Sequence, residues 1–288
     1  MSVIDEEGFA QRQAPLRALL GHPEHFVADL HTHTTLSDGS DDFEVLLGRA
    51  RIRGVTHIAV TNHDTVSGLD RMARLAAERS FPFVGGVEIS AWDEQRRSRV
   101  HILGLGLSSA SAAIERLCAP LLARRSAASA WQAERLRAAG YRIDEDKLAC
   151  LASASTGLYK QHLMAALTDD SFTSLTYQSL YRTLFKDGGI CEREIVYVDA
   201  RDAVEAVVSD GGLAVLAHPG QYDNFAFIDA LVEAGLSGIE KYHPDHDGRH
   251  RALVDEAAAR HGLFITGGSD YHGAFGKVAH PGQCALIG

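Results

Sequence analysis

The sequence predicts an α/β fold of parallel strands wrapped by helices, closed as a barrel or left as an open sheet. Three observations lead there. Seven short strand-like runs can be picked out, amphipathic segments lie between several of them, and glycines follow three of those segments where a helix would end. The runs are 26–30, 57–61, 83–87, 100–105, 213–217, 238–241 and 263–266. The amphipathic segments are 42–53, 67–80, 201–209, 225–234 and 249–261, and Gly54, Gly235 and Gly262 stand where a left-handed cap would want glycine. Asp41-x-x-Glu44 resembles a capping box at the start of the first.

The stretch 108–195 breaks the alternation. It carries a long Ala/Arg/Leu-rich helical pattern (112–139), then 156–167 and 177–185, with no convincing strand. It reads as a helical insertion, a substrate cap, between two halves of the core at 26–107 and 196–288. Residues 1–25 read as an added N-terminal helix and loop.

Composition bounds the function. The balance of 45% hydrophobic and 23% charged residues is that of an ordinary globular protein, and no apolar run approaches the ~20 residues of a bilayer span. The acidic start, Met1 to Gly8, lacks the apolar region of a secretory signal. Cys118, Cys150, Cys191 and Cys284 lie far apart with no C-x-x-C pair, so they read as reduced thiols and the cytoplasm is the expected compartment. A formal net charge of −10 argues against a broad nucleic-acid-binding surface. It leaves room for a small phosphorylated substrate, because bound metal ions reverse the local field.

The fifteen histidines matter through their placement. In Asp29-Leu30-His31-Thr32-His33 an extended chain projects both imidazoles to one side, a two-pronged grip for a metal, and Asp38 lies in the turn that follows. The other runs end alike: in Asn62-His63-Asp64, in Glu88, in His218-Pro219-Gly220, near His243 and His246, and in Gly267-Gly268-Ser269-Asp270-Tyr271-His272. His101 lies early in its own run. In parallel α/β folds the ligand site lies at the carboxyl ends of the strands, so side chains scattered from 31 to 272 are expected to meet there.

The motifs His31-x-His33, Thr61-Asn62-His63-Asp64, Gly86-Val87-Glu88, Val100-His101-Ile102-Leu103-Gly104-Leu105, Ala217-His218-Pro219 and Gly268-Ser269-Asp270-Tyr271-His272, in that order, resemble the PHP (polymerase and histidinol phosphatase) superfamily. The resemblance covers 28–106 and 211–273. It implies a distorted (β/α)7 barrel holding a trinuclear site of divalent metals, with Mn, Fe or Zn suiting the imidazole and carboxylate donors. Carried over residue by residue, His31, His33, Glu88 and Asp270 would bind one ion. Glu88 would bridge to a second completed by His101 and His218, and Asp38, His63 and His272 would hold a third. Three carboxylates against three doubly charged ions leave about +3 formally, which attracts a phosphate. A metal-bridging hydroxide would then attack phosphorus in line. His243, His246 or Asp64 would protonate the leaving group.

The insertion and the stretch Ala217–Tyr222 resemble the branch that dephosphorylates nucleoside 3′,5′-bisphosphates and trims short RNA from a 5′-phosphorylated end. Lys160 and His162 fit that branch's pattern of a basic residue two before a histidine, and Arg182 lies on the next helical segment; these three would hold the substrate's second phosphate. The expected activity is thus hydrolysis of a nucleotide-like phosphomonoester. The alternatives are a histidinol-phosphate-type or general small-molecule phosphatase, and a non-catalytic metal-binding scaffold. One departure stands out: the family usually has Asp where Asn62 stands, and an amide offers the third metal's ligand no negative partner. Gly85-Gly86 and Gly267-Gly268 are expected to allow close backbone approach rather than to cradle phosphates. The basic cluster Gln95–Arg99, Trp92 and Trp131 read as surface and packing features.

Overall fold

The computed structural model describes residues 6–288, with a twisted nine-stranded sheet at its centre. Residues 1–5, the start of the expected N-terminal extension and of its acidic stretch, lie outside the described part. The rest of that extension is helix α1 (Glu6–Leu19), anchored in the core by Leu16 and Leu20, and a loop. Next come β1 (Val27–Asp29), α2 (Phe43–Ile52), β2 (His57–Val60), α3 (Leu69–Glu78), β3 (Phe83–Asp93) and β4 (Ser98–Leu105). Four helices then follow with no intervening strand: α4 (Ala112–Ala138), α5 (Glu145–Ala154), α6 (Lys160–Leu167) and α7 (Leu175–Phe185). The second half runs β5 (Val198–Asp199), α8 (Ala200–Ser209), β6 (Leu213–Leu216), α9 (Pro219–Tyr222), α10 (Ile228–Glu233), β7 (Gly238–Tyr242), α11 (Gly248–His261), β8 (Phe264–Gly267) and β9 (Leu286–Ile287).

The strands lie in the order β8-β7-β6-β4-β3-β2-β1-β9, with β5 beside β3. Beyond their named ends β8 and β1 meet again: Leu30 N–H donates to Gly267 O at 3.0 Å, Asp270 N–H to His31 O at 2.9 Å, and Thr32 bridges to Tyr271. The sheet is therefore a nearly closed barrel. β2, β6, β7 and β8 are four or five residues long, and β2 and β8 are buried on both faces, as expected of a barrel wrapped by helices.

The sheet is not parallel throughout. β4 runs antiparallel to both β3 and β6. Only Glu94–Arg97 separates β3 from β4, and a parallel return needs a crossover of a dozen residues or more. The Asp93 carboxylate accepts the backbone N–H groups of Gln95 (3.0 Å) and Arg96 (3.3 Å), which closes the turn. β5 and β9, two residues each, are too short to show any alternation in sequence, and α5 buries only Leu148, too narrow a stripe to register. The cap of α2 also differs from expectation. Asp42, not Asp41, accepts the N–H of Val45 (2.9 Å), while Asp41 accepts the Tyr271 hydroxyl (2.7 Å) and pairs with Arg49 (2.8 Å).

One hydrophobic core fills the barrel and its helix contacts. A second cluster, centred on Leu136, Leu163, Met164, Leu184 and Phe185, holds α4, α6 and α7 together. Among the described residues no helix is long and apolar enough to cross a membrane.

Candidate metal centre

The ends of the strands converge on one pocket. Imidazole or carboxylate atoms lie within 4.8 Å of one another in each of four sets: His31, His33, Glu88 and Asp270; Glu88, His101 and His218; His33, Asp38, His63 and His272; and His31, His218 and His243. Glu88 is the hub. Its Oε2 lies 3.1 Å from Nε2 of both His31 and His33 and 3.4 Å from His63 Nδ1, while its Oε1 lies 2.7 Å from His101 Nδ1 and 2.9 Å from His218 Nε2. Asp270 Oδ1 is 3.5 Å from His31 Nε2 and 3.3 Å from His33 Nε2.

Five imidazoles around one buried carboxylate form no self-sufficient hydrogen-bond network. His31 Nε2, both ring nitrogens of His33, Asp38 Oδ1, His63 Nδ1, His218 Nδ1 and His243 Nε2 are buried with no hydrogen-bond partner among the described residues. Unpaired buried polar atoms are costly, so a group of such atoms aimed at one another fits cations held between them. The electrostatics agree. Burial alone would raise the carboxyls of Asp38, Glu88 and Asp270, yet the surrounding imidazoles outweigh it and hold all three below the usual carboxylate range. Burial would discharge His31 and His272, but nearby carboxylates hold both above the ordinary imidazole value, His272 at about 10. Divalent ions binding here would displace those protons.

Local folding aims each group. Gly268 is obligatory, since a Cβ there would sit 2.2 Å from His31 Cβ. Asp29 pins the β8 loop, accepting Ser269 N–H (2.9 Å) and Oγ–H (2.6 Å). Eight described non-glycine residues have positive φ, and three of them (Asp64, His218 and Asp270) stand at strand ends on this pocket. Glu240 on β7, fully buried, faces His31 Nδ1 at 3.2 Å and accepts His218 N–H at 2.9 Å, fixing two imidazoles at once.

Asn62 does not act as the missing negative partner of an imidazole. Its Oδ1 accepts Thr34 N–H (2.8 Å) and Ser37 Oγ–H (2.9 Å), and its Nδ2 donates to Thr34 Oγ1 (3.0 Å). It braces the turn that carries Asp38, using the donor as well as the acceptor of its amide.

The nine residues expected as ligands all come together here, and His243 joins them. Its Nδ1 accepts Asp245 N–H (3.1 Å), which leaves Nε2 facing Asp270 Oδ2 at 3.5 Å. His246 is turned away, with Nδ1 donating to Lys241 O (2.9 Å) and Nε2 accepting Gly220 N–H (3.0 Å). Asp64 is bound to Ser90 N–H (2.7 Å) and Arg125 Nη2 (2.6 Å). Beside the pocket opens a cavity lined by Asp38, His63 and His101 of the cluster and by four cationic residues, Arg99, Arg125, Lys160 and Arg193. Lys160 thus reaches the site. His162 does not; its ring accepts the Tyr159 N–H at the start of α6. Nor does Arg182, whose side chain is 71% exposed and paired with Asp187. Arg125, Arg193 and Gln161, which donates to Asp38 Oδ2 (2.8 Å), carried no recognisable motif. Arg99 lay within the basic cluster read as a surface turn.

A PHP domain model matches residues 29–210. A phosphoribosyl 1,2-cyclic phosphate 1,2-diphosphodiesterase of Eggerthella lenta is 54% identical over 89% of this chain and 98% of its own length. A 3′,5′-nucleoside bisphosphate phosphatase of Chromobacterium violaceum is 34% identical over 85% and 86%. In structure, a protein of Bifidobacterium adolescentis predicted to be a metal-dependent phosphoesterase superposes with a TM-score of 0.80 at 26% identity, covering 90% of this chain and 92% of that one. With histidines and carboxylates gathered at the strand ends of the matching fold, the chain belongs to the PHP family and is a metal-dependent phosphoesterase, a hydrolase of phosphate-ester bonds.

Proposed function

We propose that the protein hydrolyses the cyclic phosphodiester of a ribose that carries a second phosphate, the substrate class in the name of the E. lenta relative. The observation that supports this reading is the adjacency of two anion-seeking features. The histidine–carboxylate cluster would take the reacting phosphate, and the adjoining wall of Arg99, Arg125, Lys160 and Arg193 would take the other. Among the described residues Asp38 is the only carboxylate lining that cavity, and Arg99 is paired with Glu194 beside it (3.0 Å).

In this reading His31, His33, Glu88 and Asp270 hold one divalent ion, Glu88, His101 and His218 a second, and Asp38, His63 and His272 a third. The orphaned Nε2 of His243 makes it a further ligand rather than an acid. Imidazole and carboxylate donors suit Mn, Fe or Zn. Such ions would supply Lewis acidity toward the phosphoryl oxygens and a hydrolytic water of lowered pKa. The chain's own residues orient the parts: Gln161 fixes the Asp38 carboxylate, Glu240 fixes His31 and His218, and the cationic wall sets where the sugar lies. The insertion 108–195 acts as the substrate cap, supplying Arg125, Lys160, Gln161 and Arg193. The four free cysteines fit a cytoplasmic setting.

A nucleoside 3′,5′-bisphosphate is the second reading. It is supported by Tyr181, Tyr197 and Tyr222, aromatic rings in the same cavity on which a base could stack. A histidinol-phosphate-type substrate, with one phosphate, would leave the cationic wall idle. The test is metal analysis of the purified protein together with a substrate panel of phosphoribosyl 1,2-cyclic phosphate, a nucleoside 3′,5′-bisphosphate, histidinol phosphate and short 5′-phosphorylated RNA. The cyclic diester is expected to lead in kcat/KM by at least about tenfold. Chelation should abolish turnover and divalent ions restore it. A lead for the singly phosphorylated substrate, or turnover indifferent to chelation, refutes the proposal.

A further inference from the structure

Asp64 follows a cluster histidine directly, yet its carboxylate points away from the cluster and into the cap. It is fully buried, and it holds a left-handed backbone with φ of 58°, a conformation that costs a non-glycine residue of order 1 kcal/mol. In that pose Oδ1 accepts Ser90 N–H at 2.7 Å and Oδ2 accepts Arg125 Nη2 at 2.6 Å. The same Nη2 donates to Ser90 Oγ at 2.8 Å. The guanidinium lies over the Tyr159 ring, 5.3 Å from its centroid, and the Tyr159 hydroxyl donates to His63 O at 3.1 Å. One corner of the Arg125 fork is thus fully engaged, while its Nε is buried with no partner among the described residues, in a side chain that lines the cationic cavity.

We infer that Asp64 is a positioning residue: it clamps the Nη2 end of the Arg125 guanidinium so that the unengaged Nη1 end of the fork, the part left to the cavity, is presented to the substrate's non-reacting phosphate. The inference rests on the reading that this cavity takes the second phosphate. A free arginine side chain carries about 2 kcal/mol of rotamer entropy, which an unclamped Arg125 would have to lose on binding substrate. The clamp costs some positive field, since the carboxylate neutralises part of the cation. It returns direction, because a planar fork fixed at one corner can offer its remaining donors along only one line. The tie through Tyr159 to the backbone of His63 sets that line relative to the reacting phosphate.

The experiment compares matched substrates that differ only in the remote phosphate: phosphoribosyl 1,2-cyclic phosphate against ribose 1,2-cyclic phosphate, and a nucleoside 3′,5′-bisphosphate against the nucleoside monophosphate that keeps the cleaved ester. Asn tolerates positive φ, so Asp64→Asn keeps the backbone while its amide can no longer offer acceptors to both donors. It is expected to raise KM for the doubly phosphorylated member by about tenfold to a hundredfold, to change kcat by less than about threefold, and to leave the singly phosphorylated member unchanged. Combined with Arg125→Ala it should cost nothing further, because both variants remove the same interaction. Ser90→Ala, which removes only the second acceptor of Nη2, should shift KM in the same direction by less. It decides the matter if Asp64→Asn does not fold.

Equal losses on both members of a pair, a fall in kcat alone, or additivity with Arg125→Ala would overturn the clamp, as would an undiminished preference for the remote phosphate. A wild type that shows no such preference in either pair would overturn the two-phosphate reading, and this inference with it.

Discussion

Glu240 offers the sharpest test of the metal centre, because its carboxylate satisfies two buried donors that an amide cannot both serve. In Glu240→Gln the side-chain volume is kept, so packing is undisturbed. The amide has two orientations. With its oxygen on His218 N–H, its NH2 group faces His31 Nδ1, now 3.2 Å from a carboxylate oxygen, and Nδ1 must become the acceptor. The His31 proton then moves to Nε2, the nitrogen that faces Glu88 and Asp270 and that must be bare to bind a cation. With the amide reversed, His31 keeps its tautomer but the buried His218 N–H meets an NH2 group and loses its acceptor, at about 1–3 kcal/mol. The variant takes the cheaper course, so ion affinity or turnover should fall about tenfold to a hundredfold, the usual cost of disturbing a carboxylate behind a ligating histidine. Metal-stripped wild type and variant would be titrated with Mn²⁺ and Zn²⁺ by calorimetry, with kcat/KM measured at saturating ion. Unchanged ion affinity together with turnover within threefold would refute the assignment of His31 Nε2 as a ligand.

Three further outcomes follow from the same geometry. Burial, with Lys186 and Arg99 nearby, lowers the Lys160 ammonium to about 8, and a bound phosphate would draw it back up. The lysine is therefore charged below about pH 8, so KM should be flat there and rise up to about tenfold per unit above it, while Lys160→Met should show no such rise in a pH series. Glu88→Gln removes the carboxylate that five imidazoles face and should cut kcat at least about a thousandfold, with a circular dichroism spectrum like wild type; retained turnover would break the cluster assignment. Arg182→Ala should leave kcat/KM within about twofold, since the side chain is solvated and already paired; a larger loss in steady-state kinetics would place it at the substrate after all.

The gathering of histidines and carboxylates was legible because of how barrels are built. Each strand delivers its next residues to the same rim, so polar groups following apolar runs announce a shared pocket without any knowledge of strand order. His31, His63, His218 and Asp270 all follow that rule. Direction was less legible: alternation of strand and helix implies parallel pairing, and the four residues at 94–97 were too weak a turn signal to show β4 reversing. The cationic wall was legible only at Lys160, where a pattern existed. Arg125 sits mid-helix in an Ala/Arg-rich stretch in which every arginine looks equally solvent-facing, and only tertiary packing turns one of them toward the pocket. Arg182 had no such pattern, only its place on the next helical segment, and packing leaves it exposed and paired with Asp187. The roles of Asp64, His243 and Glu240 depend on which ring nitrogen or carboxylate oxygen faces which donor, and spacing does not encode that.

The reversal of β4 has a consequence for how the site tolerates change. His101 stands opposite Ser90, and Leu103 opposite Glu88, in a ladder running from Gly86–Leu105 to Asp93–Ser98. Sliding one arm past the other by a single residue would swing His101 to the opposite face of the ribbon and bring a neighbour, Val100 or Ile102, to the rim. The tip at 94–97, out beyond the barrel wall, thus acts as the gauge that measures His101 into place. Lengthening it by two residues in a way that keeps the Asp93 contacts should spare activity, whereas a one-residue insertion within 98–100 should silence the enzyme without unfolding it.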